Sequence, residues 1–422
     1  MQTDPLLTSF TDALAAVLAE AGRLGTESVT LADAAGRVLA QDIAAPFDLP
    51  HFDNTSVDGY AIHAADVEKA NRDGSALLTI DMVIPAGDAL RGRQLTAGCA
   101  ARVLTGSPLP VGTAAVVMQE DVTEDHGHVR ICAGISAGQG IRRQGEEFRR
   151  GDLVARGAQP LTPPLCSLAA TMGLSQVQVA RAPRVGLLLT GSELVAPGQP
   201  LQDAQIYESN SPGLAAALKL AGIASLDVRS VPDTLEPTVA ALSALLDAND
   251  VVITSGGVSV GTYDAVKAAL QELGVERRLW RVAIKPGKPF FFGIRHRAGH
   301  KTAVFGLPGN PLSALVTFSV FAFPYLRAVQ GITAATQTFS ATLATALKKP
   351  AGRLEFVPVT LSSDASGWRA TLLDKRASHM LGGFAQAHAL AVFPAELEKL
   401  EPGARVDCRF LPWSGPAFST SP

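Results

Sequence analysis

The stretch of this sequence that most clearly suggests chemistry is a loop rich in glycine and serine, which follows the short apolar run of residues 251–253. The β-branched residues of that run are typical of a strand buried on both faces of a parallel sheet. Residues 263–270, after the loop, have the spacing of an amphipathic helix. Because glycines let the backbone approach a ligand and a helix N-terminus presents unpaired N–H groups, the stretch favours an anion such as phosphate. An ordinary turn between a strand and a helix fits the same pattern equally well. The candidate anion-binding residues are Ser255, Gly256, Gly257, Ser259 and Gly261.

Three acidic residues follow predicted strands in the same region. Asp264 falls in the first turn of the helix, where it would repel a bare phosphate but could hold one through a divalent cation. Glu193 and Asp233 follow two other predicted strands. Ligands of open α/β sheets lie outside the carboxyl ends of the strands, so we expect these carboxylates near one crevice. Each alone would also suit a helix cap or a surface charge, but together they favour a site for Mg²⁺ and phosphate.

A proline-stiffened turn carries two further charged candidates, Lys285 and Lys288, in the sequence Lys-Pro-Gly-Lys-Pro. Proline restricts the backbone, so the turn presents its positive charges at a low entropic cost. A site for an oxyanion and a solvated hairpin are both compatible with this pattern.

Alternating strands and helices must position these residues, and the alternation begins at about residue 184. It predicts a doubly wound α/β domain. The predicted elements are the strands 185–189 and 228–231 and the helices 213–220, with Ser211 as N-cap, and 236–246.

The sequence on either side of this domain has a different character. An amphipathic helix is predicted over residues 6–21, and a capping-box pattern at residues 30–33 predicts a second helix to about residue 40. Residues 77–129 are β-rich, and Thr162-Pro163-Pro164 opens a helix that ends near Gly173. The sequence is β-rich again from about residue 332.

Composition restricts the class of protein. A chain of 422 residues predicts several domains, and its net charge of −3, without a block of Lys or Arg, gives no basis for nucleic-acid binding. The longest apolar run, residues 312–326, is shorter than a bilayer requires, so no membrane segment is expected. The start of the chain lacks the basic segment of a signal peptide. We therefore expect a cytoplasmic protein whose cysteines are reduced: Cys99, Cys132, Cys166 and Cys408.

Several motifs, in order along the chain, resemble the molybdopterin molybdenumtransferase (MoeA) family, which includes the E domain of gephyrin. The loop Ser-Gly-Gly-Val-Ser-Val-Gly-x-x-Asp is similar to the molybdopterin-binding signature, and residues 46–61, ending in Asp58-Gly59-Tyr60-Ala61, resemble a second family hallmark. Further similar motifs contain Thr105 (Thr-Gly-x-Pro-x-Pro), Lys285 and Lys288, Pro308 and Pro311 (Gly-Leu-Pro-Gly-Asn-Pro), Arg353 (Gly-Arg-x-Glu-Phe) and Ser378.

The resemblance implies a four-part subunit that pairs as a homodimer. Its parts would be a discontinuous scaffold of helices and strands (residues 1–45 and 140–182), an inserted β-rich lobe (46–139), the central α/β molybdopterin-binding domain (183–330) and a C-terminal β-barrel (331–422). It further implies that the lobe of one subunit faces the α/β crevice of the other, so that each site is shared.

The implied reaction takes adenylylated molybdopterin and molybdate, inserts the metal into the dithiolene and releases AMP. On this interpretation phosphate lies on the loop 255–261, Mg²⁺ is held by Glu193, Asp233 and Asp264, and molybdate is attracted by Lys285 and Lys288 together with Arg353 and Ser378. Pro308 and Pro311 would also contact the substrate, and Asp58 and Thr105 would come from the β-rich lobe. Molybdopterin adenylyltransferase and proteins that mature molybdoenzymes are the implied partners.

Alternatives remain. The sequence does not separate molybdate from tungstate, because the two oxyanions are nearly equal in size and charge. An adenylyltransferase would be a short chain built around the α/β domain alone. A gephyrin-like scaffold protein is a further alternative, but those of animals carry a second Ser-Gly-Gly domain and a long linker, which this sequence lacks. The sequence also departs from the family pattern at His388, where asparagine is usual, and at Glu147, where aspartate is usual.

Overall fold

The centre of the protein is a six-stranded sheet. A computed structural model describes residues 7–90, 92–257, 265–297, 299–332, 338–374 and 377–414. The first four strands of the sheet are parallel and the last two are antiparallel to their neighbours. This arrangement confirms the predicted doubly wound α/β domain. In spatial order the strands are Leu226–Val231, Val185–Thr190, Val251–Ser255, His300–Leu307, Phe291–Arg297 and Glu276–Trp280.

Helices cover both faces of this sheet because its central strands are apolar on both sides. Every residue of Val185–Thr190 is buried. Leu187 and Leu189 pack on one face with Leu214, whereas Leu188 packs on the other face with Leu242. The helices of the domain are Asn210–Leu220, Leu235–Ala248, Ala265–Glu272, Pro311–Thr317 and Phe323–Val329, with a π-helical turn Phe318–Ala322 between the last two.

One helix in the described part of the chain is long and apolar enough to cross a membrane by length and composition alone. It is Pro311–Val329, a helix of 19 residues. Of its 18-residue apolar window, 72% is buried inside the protein. The helix is longer than the apolar run used in the sequence prediction. Most of this helix is buried in the core formed with the sheet.

The N-terminal helix, Phe10–Ala19, packs on the α/β domain. It begins after Ser9, whose hydroxyl accepts the N–H of Asp12. The Phe10 ring lies 5.5 Å from the ring of Phe321 and 5.0 Å from that of Phe356, so this helix joins the core shared by the α/β domain and the C-terminal barrel.

The chain next forms small antiparallel pairs with a later segment. Thr26–Thr30 pairs with Gln176–Ala180, and Ile43–Ala44 pairs with Leu153–Ala155. The helix Pro163–Thr171 packs beside them and is capped by Thr162, close to the prediction.

The predicted helix over residues 30–40 is wrong. The Thr30 hydroxyl does bond to the Asp33 carboxylate, at 2.7 Å, but the pair closes only the single 3₁₀ turn Leu31–Asp33. The chain then leaves the helical path, because Val38 and Leu39 form β-bridges to distant residues. Long-range pairing therefore overrides a local helix signal.

The β-rich lobe is a second six-stranded sheet covered by the helix Ala64–Asp73. A short pair, Asn54–Thr55 with Ile141–Arg142, lies next to it. Another 3₁₀ turn, Gln119–Asp121, follows the strand Thr113–Met118. That order is Thr113–Met118, Gly59–His63, Cys99–Val103, Ser75–Ile84, His128–Cys132 and Thr123–Asp125.

The C-terminal region contains a closed five-stranded barrel, as predicted. The strand Leu354–Asp364 pairs with both Gly367–Leu372 and Ala389–Phe393, which closes the barrel. Outside it are the pair Leu347–Lys348 with Lys399–Leu400 and the one-turn helix Leu381–Phe384. The strand Ile284–Lys285 of the preceding region pairs in parallel with the first two residues of the barrel strand Leu354–Asp364. In order around the barrel the strands are Leu354–Asp364, Gly367–Leu372, Thr338–Leu343, Arg405–Phe410 and Ala389–Phe393.

Candidate functional site

A cavity of about 580 Å³ opens at the carboxyl ends of the parallel strands of the α/β domain. This is where ligands bind in open α/β sheets. Predicted site residues that line it are Glu193, Asp233, Ser255, Gly256, Gly257, Pro308 and Pro311. Other lining residues, which the sequence analysis did not single out, include Thr190, Tyr207, Glu208, Ser209, Asn210, Asn310 and His379.

The two glycines after the central strand are required by the local geometry. Gly256 and Gly257 have φ of 93° and 66°. A Cβ on Gly256 would lie 2.9 Å from the backbone oxygen of Thr190, and one on Gly257 would lie 2.3 Å from Cγ2 of Val266. No other residue type fits there without displacing its neighbours. The other predicted loop residues, Ser259 and Gly261, lie outside the described residues.

Ser255 ties this loop to the opposite wall of the cavity. Its hydroxyl donates to the backbone oxygen of Pro308 at 3.3 Å and accepts from Nδ2 of Asn210 at 2.8 Å. The same Asn210 amide group donates to the backbone oxygen of Gly309 at 2.8 Å. The walls of the cavity are therefore held together by hydrogen bonds before any ligand binds.

The helix that begins at Asn210 is capped differently from the prediction. The N-cap is Ser209, and Ser211 lies inside the first turn. Glu208, only 8% exposed, accepts the backbone N–H groups of Asn210 at 2.6 Å and Ser211 at 2.8 Å. Glu208 therefore acts as a capping residue of this helix. The run of polar residues that begins with Glu208, at the end of a short strand, was the sequence signal that could have indicated this role.

Two of the three predicted metal ligands share the cavity. Glu193 and Asp233 are exposed to it at the ends of different strands, while Asp264 lies outside the described residues. Among the residues that the structure describes, no three His, Cys, Asp or Glu side chains are grouped to hold a metal. Carboxylate oxygens are nevertheless the ligands that Mg²⁺ prefers, and these two are not engaged in ion pairs with other described residues.

The C-terminal region reaches the rim of the cavity near Ser378. Its backbone oxygen accepts the N–H of Leu312 at 3.2 Å, and its hydroxyl is 3.3 Å from Nδ2 of Asn310. The next residue, His379, lines the cavity itself.

The predicted oxyanion lysines are not among the described residues that line the cavity, although Pro289 of the same turn is. The turn is pressed against a helix, because a Cβ on Gly287 would lie 2.3 Å from Cγ2 of Thr317. The Lys285 ammonium forms an ion pair with Oε1 of Glu355 at 3.1 Å. Arg353 lies on the same chain segment as Glu355, next to the strand that carries Lys285.

Asp58 and Thr105 form a separate polar group in the β-rich lobe. Oδ1 of Asp58 accepts both the backbone N–H and the hydroxyl of Thr105, each at 2.7 Å. The backbone hydrogen bond, followed by that from the hydroxyl, holds the pKa of the Asp58 carboxyl below its usual range. Neither residue is among the described residues that line the cavity of its own chain. The structure therefore brings the two residues together but leaves them apart from Glu193 and Asp233.

His388, where the sequence departs from the family pattern, has a structural role. Its Nδ1 accepts the backbone N–H of Leu361 at 3.0 Å, and its own N–H donates to the backbone oxygen of Val359 at 2.9 Å. The histidine thereby fastens the loop before Ala389–Phe393 to the neighbouring barrel strand.

Family models match three consecutive parts of the chain. Residues 8–173 match the MoeA N-terminal region (domain I and II), residues 186–328 match a probable molybdopterin binding domain, and residues 340–411 match the MoeA C-terminal region (domain IV). Together they account for nearly the whole described fold.

Whole-chain comparisons agree. The chain is 36% identical over 389 residues to molybdopterin molybdenumtransferase of Haemophilus influenzae, covering 90% of this chain and 93% of that protein. It is 38% identical over 389 residues to molybdopterin molybdenumtransferase 2 of Mycobacterium tuberculosis, with the same coverage of 90% and 93%. A crystal structure of a molybdopterin biosynthesis MoeA protein from Pyrococcus horikoshii superposes with a TM-score of 0.81 at 28% identity, covering 96% of this chain and 100% of that chain. On this combination of sequence and structure, the chain belongs to the molybdopterin molybdenumtransferase (MoeA) family.

Proposed function

We propose that this protein inserts molybdenum from molybdate into adenylylated molybdopterin and releases AMP as the last metal-loading step of molybdenum cofactor biosynthesis. The observation that carries the proposal is the cavity of about 580 Å³, which combines the Gly256–Gly257 loop with the carboxylates of Glu193 and Asp233. A backbone loop that no side chain obstructs suits a phosphate, and adjacent carboxylates suit the cation that accompanies it.

The phosphoanhydride of the substrate would lie on the loop that begins at Ser255. Glu193 and Asp233, with Asp264 as the proposed third ligand, would hold Mg²⁺, which would supply neutralisation of the charge that develops as the phosphoanhydride breaks. The hydrogen bonds from Asn210 to Ser255 and Gly309 keep this part of the cavity in shape for the substrate.

Molybdate, the second substrate, would bind at the edge of the cavity formed by the Lys-Pro-Gly-Lys-Pro turn. Support comes from the strand pairing that places Lys285 beside the chain segment of Arg353, and from Ser378, which contacts Asn310 on the cavity rim. With Lys288, these side chains would offer cationic and hydroxyl donors to a tetrahedral dianion.

We further propose that the protein acts as a homodimer in which each cavity is completed by Asp58 and Thr105 of the partner. The pair belongs to the lobe, Oδ1 of Asp58 accepts both hydrogen bonds from Thr105, and Thr105 is exposed, as a residue group awaiting a second surface would be. A reducing, cytoplasmic setting fits the four cysteines, all of which are free.

The test is a reconstituted reaction with purified protein, adenylylated molybdopterin, molybdate and Mg²⁺. We expect AMP to appear only when molybdate and the metal are both present, and Asp233→Asn to abolish this release while leaving the fold intact by circular dichroism. Lys301→Gln, at an ion pair between the α/β domain and the end of the N-terminal helix that is not among the described residues lining the cavity, serves as the matched control. Substitution of tungstate for molybdate in the same assay measures the preference between the two metals. AMP release independent of any oxyanion would contradict the proposal.

A further inference from the structure

The ion pair between Lys285 and Glu355 lies where the α/β domain meets the C-terminal barrel. The two residues are direct partners in the parallel pairing of Ile284–Lys285 with the barrel strand, and Nζ of Lys285 is 3.1 Å from Oε1 of Glu355. The lysine side chain is 52% exposed, whereas that of the glutamate is 14% exposed. One partner thus faces solvent and the other is enclosed.

The second carboxylate oxygen of Glu355 is in an unusual position. Oε2 is buried and has no hydrogen-bond partner among the described residues. Buried polar atoms in folded proteins are nearly always paired, and an unpaired one has a free-energy cost. If Lys285 turned away, Oε1 would lose the ammonium as well, and a largely buried carboxylate would be left without its counter-charge, which is unfavourable. Glu355 therefore holds the lysine in place.

A lysine ammonium has three N–H donors. Glu355 occupies one of them, and the exposure of the lysine leaves the others directed towards solvent. We propose that Glu355 is a positioning residue for the oxyanion, which anchors the Lys285 ammonium by one N–H and so presents its remaining donors to molybdate. This inference rests on the proposed function and names how the barrel takes part in it.

Charge alone leads to the opposite expectation. Removal of a carboxylate makes the surroundings of Lys285 more positive, and a dianion would then bind more tightly. Simple electrostatics therefore predicts tighter molybdate binding when the charge of Glu355 is removed and no change when only its length is altered. Anchoring predicts weaker binding when the length is altered and little change when the charge is removed.

Two substitutions separate length from charge. Glu355→Asp keeps the charge but withdraws the acceptor by one methylene, so the ammonium must follow it or be released. Glu355→Gln keeps the length and an acceptor oxygen but removes the charge. Because small displacements of positioned groups are costly, we expect Glu355→Asp to raise the molybdate concentration for half-maximal activity about tenfold. We expect Glu355→Gln to change it by less than about threefold, since the hydrogen bond is retained. Equilibrium dialysis of molybdate should show the same order, with binding of the adenylylated pterin unchanged in both.

The control is Glu20→Asp, at a second lysine–glutamate pair between chain regions, in which Nζ of Lys301 is 2.7 Å from Oε2 of Glu20. It should alter stability without altering the molybdate requirement. In the background of Lys285→Gln, Glu355→Asp should have no further effect on molybdate, because the group it positions is gone.

The outcomes are distinct. A molybdate requirement in Glu355→Asp equal to wild type, a requirement in Glu355→Gln lowered by more than about threefold, or an equal change in the Glu20 control would each overturn anchoring. If Lys285→Gln itself leaves the molybdate requirement unchanged, the role of Lys285 in the proposed function fails and anchoring fails with it. If Lys285→Gln raises the requirement and Glu355→Asp does not, only the anchoring inference is lost.

Discussion

Replacement of Gly257 by alanine tests whether the loop geometry is required for substrate binding. The added Cβ would lie 2.3 Å from Cγ2 and 2.8 Å from Cβ of Val266, a residue that is 0% exposed. Val266 is β-branched and held in a packed helix, so it cannot rotate away. Overpacking of this kind costs about 1–3 kcal/mol. The positive φ of 66° adds about 1–2 kcal/mol for a residue with a side chain.

The total of about 2–5 kcal/mol predicts either a clear loss of stability or a shifted loop that no longer binds phosphate. Thermal unfolding measures the first, and the Kd for AMP or the adenylylated pterin measures the second.

Gly274→Ala is the matched control, because Gly274 also has a positive φ, 72°, but an added Cβ there would meet nothing within 4 Å. It should show only the backbone cost and unchanged binding. Combining Gly257→Ala with Val266→Ala should restore part of the lost affinity by removing the obstruction. Gly257→Ala with the stability and affinity of Gly274→Ala would refute the argument.

Three other predictions concern a buried ion pair, a hydrogen bond in the β-rich lobe and the shared site. The side chain of Asp250 is 2% exposed and paired with Arg181 at 2.9 Å, so Asp250→Ala should lower the free energy of unfolding by about 3–5 kcal/mol. Burial raises the pKa of Asp250, but Arg181 and a backbone N–H lower this pKa by more than burial raises it, so the net shift is downward. This stabilisation is therefore complete above the unfolded-state pKa and is lost as pH falls through the lowered folded-state pKa, which unfolding measured across that acid range will check. Thr105→Val removes one of the two hydrogen bonds that lower the pKa of Asp58, so NMR titration should show that pKa moving up; an unchanged value would mean that the hydroxyl contact is absent in solution. Finally, Asp58→Ala and Glu193→Ala, each inactive alone, should regain roughly a quarter of wild-type activity when mixed as random dimers. A mixture verified to contain heterodimers yet inactive would contradict the shared site.

Local patterns predicted the position of the glycine loop well. A strand, a glycine pair and a helix are adjacent in sequence, so their chemistry depends on neighbours only a few residues away. Ser255, Gly256 and Gly257 accordingly line the cavity as expected. Glu193 and Asp233 could be placed there as well, because carboxyl ends of parallel strands meet at one edge of the sheet.

Features that depend on distant pairing were missed. The capping pattern at Thr30 formed its hydrogen bond but not its helix, since β-bridges take the chain elsewhere. Sequence alone also could not reveal that Glu355 lies against Lys285, because the two are joined by a strand pairing between separate regions. One local feature was also missed, because Ser211 was predicted as a cap for its residue type, whereas the capping carboxylate of Glu208 lies three residues earlier.

Pterin phosphate, metal and molybdate are proposed to meet at one cavity, and a crystal structure with adenylylated molybdopterin, Mg²⁺ and molybdate bound would locate all three. We predict phosphate density on the Gly256–Gly257 loop, a metal within coordination distance of Glu193 and Asp233, and an anomalous molybdenum peak beside Lys285. A nucleotide bound on another face of the protein, or a molybdenum peak remote from Lys285, would disprove this arrangement.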